Sequence, residues 1–215
     1  MNKFETKYLP YFPIIGLGIY LIVFTIAAVA YPGGSDNYPH ANGYSFYHNF
    51  LCDTMNPITQ SGIVNEARFM AIISHLVLSF TMISFFYILP KIFIVKNRNT
   101  KMIAVFGIAS MTAMAFMYTA YHDVMVTITG VLGAIALIPF FIELRYFKNK
   151  ELKRLAYSCY LLSIIVFFIF ETKIGIYYLP FIQKIAFVAD AYWVVWSCII
   201  VINKNKTALN YSENN

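Results

Sequence analysis

Apolar residues fall in blocks of about twenty along this chain, at roughly 10–31, 69–95, 102–121, 124–147, 155–178 and 182–203. A helix crosses the hydrocarbon core of a bilayer with roughly 20 apolar residues. The pattern therefore predicts an all-α, polytopic bundle of six transmembrane helices. Between the blocks lie one long polar segment, 32–68, and two short basic ones, 96–101 and 148–154. Residues 1–215 read as a single transmembrane domain, with an outer loop or lid at 32–68 and a cytoplasmic tail at 204–215. No internal repeat is visible.

The first block has a second reading. Lys3 and Lys7, an apolar run and Ala28-Val29-Ala30 imitate a secretory signal with its cleavage site. The run from Pro13 to Tyr31 is long enough to span, however, and further spans follow, so it is expected to stay as the first helix.

Within the long polar segment, Tyr31-Pro32-Gly33-Gly34 and Asn42-Gly43 signal turns. Between the second of them and Asp53, the residues Phe46, Tyr47, Phe50 and Leu51 recur at three- and four-residue spacing. That spacing predicts a short amphipathic helix over Ser45 to Asp53, lying at the interface over the mouth of the bundle. The same residues could simply anchor the loop by burying aromatics among head groups.

Composition agrees with a membrane setting. Hydrophobic residues make up 60% of the chain and charged residues only 12%, about half the share of a soluble domain. The net charge of +6 does not point to nucleic acid, because the basic residues flank the apolar blocks instead of forming a patch with interleaved aromatics. They act as topology determinants and contacts for anionic lipid, the one partner class that the sequence indicates. With the amino terminus inside, thirteen of the sixteen Lys and Arg residues fall on the cytoplasmic side, and only Arg68, Lys173 and Lys184 fall outside. The positive-inside bias thus places both termini in the cytoplasm, in a cell (inner or plasma) membrane. The sequons at Asn205 and Asn210 then face the cytoplasm and are accidental. Cys52, Cys159 and Cys198 are too few and too scattered for a disulfide framework or a zinc motif.

On the fourth block, the pairs Thr129/Gly133 and Gly130/Ala134 let helix backbones approach closely, where packing replaces the hydrophobic effect. Met111, Met114 and Met117 on the third block likewise read as packing.

Candidate chemistry gathers on the outer side. His48 and Asp53 sit in the long loop, and His122 and Asp123 form the tight turn between blocks three and four. His75 lies about two turns into the second helix, and Asp190 is expected near the outer end of the sixth, followed on its face by Trp193 and Ser197. An ionisable group at membrane depth costs roughly 2.5 to 3.5 kcal/mol on insertion scales unless it meets a partner or water. The least costly arrangement is one polar cavity, opening to the outer leaflet, shared by His75, His122, Asp123 and Asp190, with Trp193 beside them and His48 or Asp53 from the lid. Taken singly, each has a structural reading: His75 as a hydrogen-bonded core residue, His122-Asp123 as a hairpin cap, Asp190 in a local pair.

Two resemblances bear on function. The segment Asn49-Phe50-Leu51-Cys52-Asp53, with the polar stretch ending Gly62-Ile63-Val64-Asn65, resembles the first outer loop of bacterial six-helix membrane proteins of the DRAM and Frag-like group. Cys52-Asp53-Thr54 stands where that group carries a Ser-Asp-Gly element, without the glycine. The likeness implies a six-helix protein of the bacterial inner membrane and little about chemistry. The residue types of His48, Ser74, His75, His122, Asp123 and Asp190 are similar to those with which the CREST membrane hydrolases hold zinc. The pair of histidines four apart on the last helix of such enzymes is absent here.

The leading expectation is a membrane protein that binds or senses a lipid or other amphipathic molecule, or an accessory protein. The next is a metal-dependent intramembrane hydrolase, with zinc on His48, His75 and His122 and a carboxylate activating water. A small-molecule or proton-coupled transporter using Asp190 and His75 as relay groups comes third, for there is no broken-helix repeat pair. A haem held by His75 and His122 comes last.

Overall fold

The computed structural model describes residues 7–93 and 95–213, so Lys3 of the basic set lies outside the described residues. Among the described residues, six α-helices carry the fold, and each begins or ends where a local signal dictates. Helix α1 (Phe12–Ala30) starts from a 3-10 turn at Leu9–Tyr11, with Pro10 and Pro13 in first-turn positions where a missing N–H costs nothing. Helix α2 (Arg68–Ile88) tightens into a 3-10 turn at Leu89–Ile92 around Pro90. Asn97 and Thr100 exchange side-chain and backbone hydrogen bonds to cap helix α3 (Arg98–Met114). Helix α4 (His122–Leu144) contains Pro139, which leaves the Ile135 carbonyl without its helical donor. Helix α5 (Lys150–Thr172) is capped by Asn149 and ends at Lys173 in the left-handed region, φ 62°. Helix α6 (Leu179–Glu213) is the longest, at 35 residues.

Helices α1 to α4 follow one another as antiparallel neighbours, α6 packs against α1 and α2, and α5 lies on α6. Five of the six are long and apolar enough to cross a membrane. The third block departs from expectation. Instead of running to 121, its helix stops at Met114 after 17 residues, and turns carry the chain through Thr119. The Met114 carbonyl, one of the last-turn acceptors with no α-helical donor, accepts from the Met117 N–H of the following turn at 3.0 Å and is met by His75 Nε2 at 2.7 Å. The segment expected as a tail from 204 continues α6 as helix to Glu213.

The two ends of the bundle are unlike. At the basic end, Lys204 on α6 donates to the carbonyls of Lys91 and Phe93, both at 3.0 Å. There Glu143 accepts from Asn97 (2.7 Å) and Asn99 (2.6 Å). The main apolar core lies toward this end, around Phe85, Ile88, Leu89, Ile103, Phe140, Leu144, Leu152 and Val194, each at most 1% exposed. At the opposite end, residues 31–67 fold into a cap whose Met55 joins Ala27 and Ala71 in a smaller cluster.

The small-residue stripe of α4 is a packing seam. Ser110 Oγ on α3 donates to the Thr129 carbonyl at 2.8 Å and lies beside Gly133, while the Phe167 ring of α5 lies against Gly130.

Candidate functional site

The cap is not the expected amphipathic helix. Ser45 to Asp53 forms successive turns that end in a 3-10 turn, Asp53–Met55. The reason is side-chain competition: Asn49 and Asp53 satisfy backbone groups that a helix would have used. Asn49, 1% exposed, accepts from the Ser45 N–H at 2.9 Å and donates to the Gly34 carbonyl at 2.7 Å and to Asp53 Oδ2 at 2.9 Å. Asp53 Oδ2 also accepts from the Phe50 N–H at 2.9 Å. Burial pushes the Asp53 carboxyl up to about 6, against the pull of the Asn49 and Phe50 donors and, more weakly, the charge of Lys184. Burial likewise pushes the Cys52 thiol up.

Helix α6 holds this cap in place. Lys184, 3% exposed, donates to the Asn49 carbonyl and, at 3.0 Å, to the Pro180 carbonyl. Its ammonium lies 5.5 Å from the Tyr44 ring and 5.4 Å from that of Phe46. Gln183 accepts from the Leu51 N–H at 3.1 Å, and Tyr47 packs on Phe181 with centroids 5.3 Å apart. The cap therefore does cover this end of the bundle, by folded turns.

Asp190 and Trp193 line a cleft that none of the other residues expected in the shared cavity lines, whereas His75 and His122 lie near enough for the charge of one to act on the other. His48 sits among the rings of Tyr38, Tyr47 and Tyr177, the nearest at 4.5 Å. His75 bonds the α3 carbonyl of Met114. His122 and Asp123, in the first turn of α4, pair with each other at 2.9 Å. Asp53 belongs to the cap network. Among the described residues no group of three His, Cys, Asp or Glu side chains could hold a metal ion. His48, His75 and His122 thus do not form the zinc set considered from sequence.

Asp190 lies deeper than expected. It stands eleven residues beyond the start of α6 at Leu179, about 16 Å along the helix axis. With Trp193 it lines a cleft of about 40 Å³ between α4, α5 and α6. That is room for two or three waters or one small polar group. Leu137, Phe140 and Phe141 of α4 form one wall, and Ala156, Cys159, Tyr160 and Ser163 of α5 the other. Large rings meet across the seam between α4 and α5: Phe141 lies 5.0 Å from Tyr157 and 4.8 Å from Tyr160. Cys159 is the polar neighbour of the Asp190 carboxyl. Trp193 is 7% exposed, and its indole Nε1 is buried without a hydrogen-bond partner.

The α5 wall does carry a signal in the sequence. Ala156, Cys159, Tyr160 and Ser163 recur at i, i+3, i+4 and i+7, a stripe of small and polar residues on an otherwise bulky apolar helix. Asn49 and Lys184 carried no such signal, because their pairing joins positions 135 apart.

No protein family, characterised protein or solved structure matches this chain. The class is set by the fold itself: a helical bundle whose long apolar helices suit a membrane.

Proposed function

We propose that this chain is a membrane-embedded binding protein for a small amphipathic molecule, with the Asp190 cleft as the seat of the polar head group. One observation carries the reading. Within largely apolar walls, a carboxyl group and a buried indole N–H border the same cleft, the first without a cationic partner and the second without an acceptor. Such groups are costly in hydrocarbon unless matched, and a bound polar head would match both. The reading keeps the class expected from sequence but moves the site from the outer mouth to the bundle interior.

On this reading α3 completes six spans, its 17 residues being at the short end of what crosses a bilayer core. The basic end faces the cytoplasm with both termini, in a plasma or bacterial inner membrane. The kinship with the DRAM and Frag-like group is part of the proposal and assigns no residue a role.

The test uses Trp193 as its own reporter. The chain has two tryptophans, so Trp196→Phe leaves Trp193 alone. Dodecanol, dodecanoate and dodecylammonium would be titrated into this variant in nanodiscs, with and without Ser163→Leu, which fills the cleft. Binding of at least one probe should shift Trp193 emission saturably and be lost in Ser163→Leu at unchanged melting temperature. Equal responses in both proteins would rule out the cleft.

A further inference from the structure

The geometry points to an organic ammonium as the head group that the Asp190 cleft takes, an inference that rests on the binding reading above. The charges of the site come first. Asp190 is the one charged side chain among the cleft's lining residues, and no Lys, Arg or His lines it. Asp190 belongs to neither of the two ion pairs found among the described residues, His122–Asp123 and Arg154–Glu151. The nearest lysine on its own helix, Lys184, is held by the carbonyls of Asn49 and Pro180. An ionised Asp190 therefore has no cation of this chain among the cleft's walls to neutralise it, and a carboxylate left so in the membrane interior is strongly disfavoured.

The remaining walls suit a cation as well. Tyr160, Phe141, Phe140 and Trp193 follow one another in ring contact, with centroids 4.8, 5.3 and 5.5 Å apart and planes inclined at 51°, 74° and 78°. Four rings so disposed form an arc beside a single carboxyl group. Ring faces attract ammonium groups, more strongly where water is excluded. A cleft of about 40 Å³ admits an ammonium and one or two attached carbons. The alkyl remainder would leave the cleft along the seam between α4 and α5, where Phe141 meets Tyr157 and Tyr160. The Trp193 N–H is left to an oxygen next to the amine or to a water.

Two sources share this chemistry, a chain-bearing amine and a small free amine. The experiment titrates the Trp196→Phe protein in nanodiscs with dodecylammonium, dodecanol and butylammonium, and repeats the series with Asp190→Asn added. Dodecylammonium should bind at least about tenfold more tightly than dodecanol, and Asp190→Asn should erase that preference while leaving dodecanol binding in place. Butylammonium binding as tightly as dodecylammonium would assign the free amine; binding a hundredfold weaker would assign the chain-bearing one. Equal affinity for dodecylammonium and dodecanol, or a preference that persists in Asp190→Asn, overturns the ammonium while the amphiphile reading stands. Absence of a saturable response to every probe overturns both.

Discussion

Lys184 of α6 donates its ammonium N–H to the main-chain carbonyl of Asn49, the residue whose own side chain ties Gly34, Ser45 and Asp53 together. One buried lysine thus connects the longest loop to the last helix. Lys184→Met keeps the apolar stem but leaves the Asn49 carbonyl without that donor and removes the charge facing Asp53. Truncating one member of such a buried set costs roughly 2 to 4 kcal/mol. The melting temperature in detergent should fall by about 5 to 10 °C, and Cys52 within the cap should become more reactive to an impermeant maleimide. A variant as stable and as unreactive as the parent would remove Lys184 from the cap's support.

The cap should also weaken as acid is removed. Asp53 has its carboxyl raised from the usual 3.8 to about 6 by burial. Between those two values the folded cap holds a proton that the unfolded chain has released, so stability falls as pH rises through the window and is level above about 6. Asp53→Asn keeps an acceptor for Asn49 and Phe50 and removes the titration. Melting curves from pH 4 to 7 should therefore slope less for the variant than for the parent; parallel curves would mean that Asp53 is not the titrating group.

Close helix packing makes a third expectation. A Cβ built on Gly16 of α1 collides with the Thr81 hydroxyl of α2, and one on Gly107 of α3 collides with the Phe86 ring. Neither neighbour is free to move. The Thr81 hydroxyl bonds the Val77 carbonyl at 2.6 Å, and Phe86 is 5% exposed within the core. Gly16→Ala and Gly107→Ala should each destabilise by about 1 to 3 kcal/mol, whereas Gly18→Ala, with open space around it, should not. Thermal melts of the three variants decide it.

What the sequence made legible follows the range of the forces involved. Hydrophobic blocks set the six helices, because a helix answers to its own residues and their solvent. The end of α3 was not legible, since its last carbonyl is met by His75 from another helix and by the Met117 N–H of a turn. Nor was the cap's conformation: the Phe46, Tyr47, Phe50 and Leu51 spacing does suit a helix, but Asn49 and Asp53 outcompete it with side-chain bonds. Asp190, Trp193 and the cost of burying them could be read directly. Their separation from His75 could not, because nothing in one helix reports which way its neighbours turn.

Orientation is open to direct measurement. In a background where Cys52, Cys159 and Cys198 are replaced by serine or alanine, an impermeant thiol reagent added to whole cells should label His40→Cys, on the exposed cap, and spare Lys96→Cys, at the exposed basic end. The opposite pattern would invert the proposed topology.

The separation of His75 from Asp190 has its own energetic consequence. His75 bonds a main-chain carbonyl of α3, and Asp190 faces α5 across a cleft that His75 does not line. They share no partner. Removing either should therefore cost the same whether or not the other is present, within the roughly 0.3 to 0.5 kcal/mol to which independent sites add. His75→Leu leaves the Met114 carbonyl with one donor fewer and should destabilise by about 1 to 3 kcal/mol. Asp190→Asn replaces a carboxyl group by a neutral amide at membrane depth and should leave stability unchanged or raised. A double-mutant cycle on reversible unfolding in mixed micelles yields the coupling term. A term above about 1 kcal/mol would place the two residues in one network, and would restore the shared relay on which a proton-coupled transporter depends.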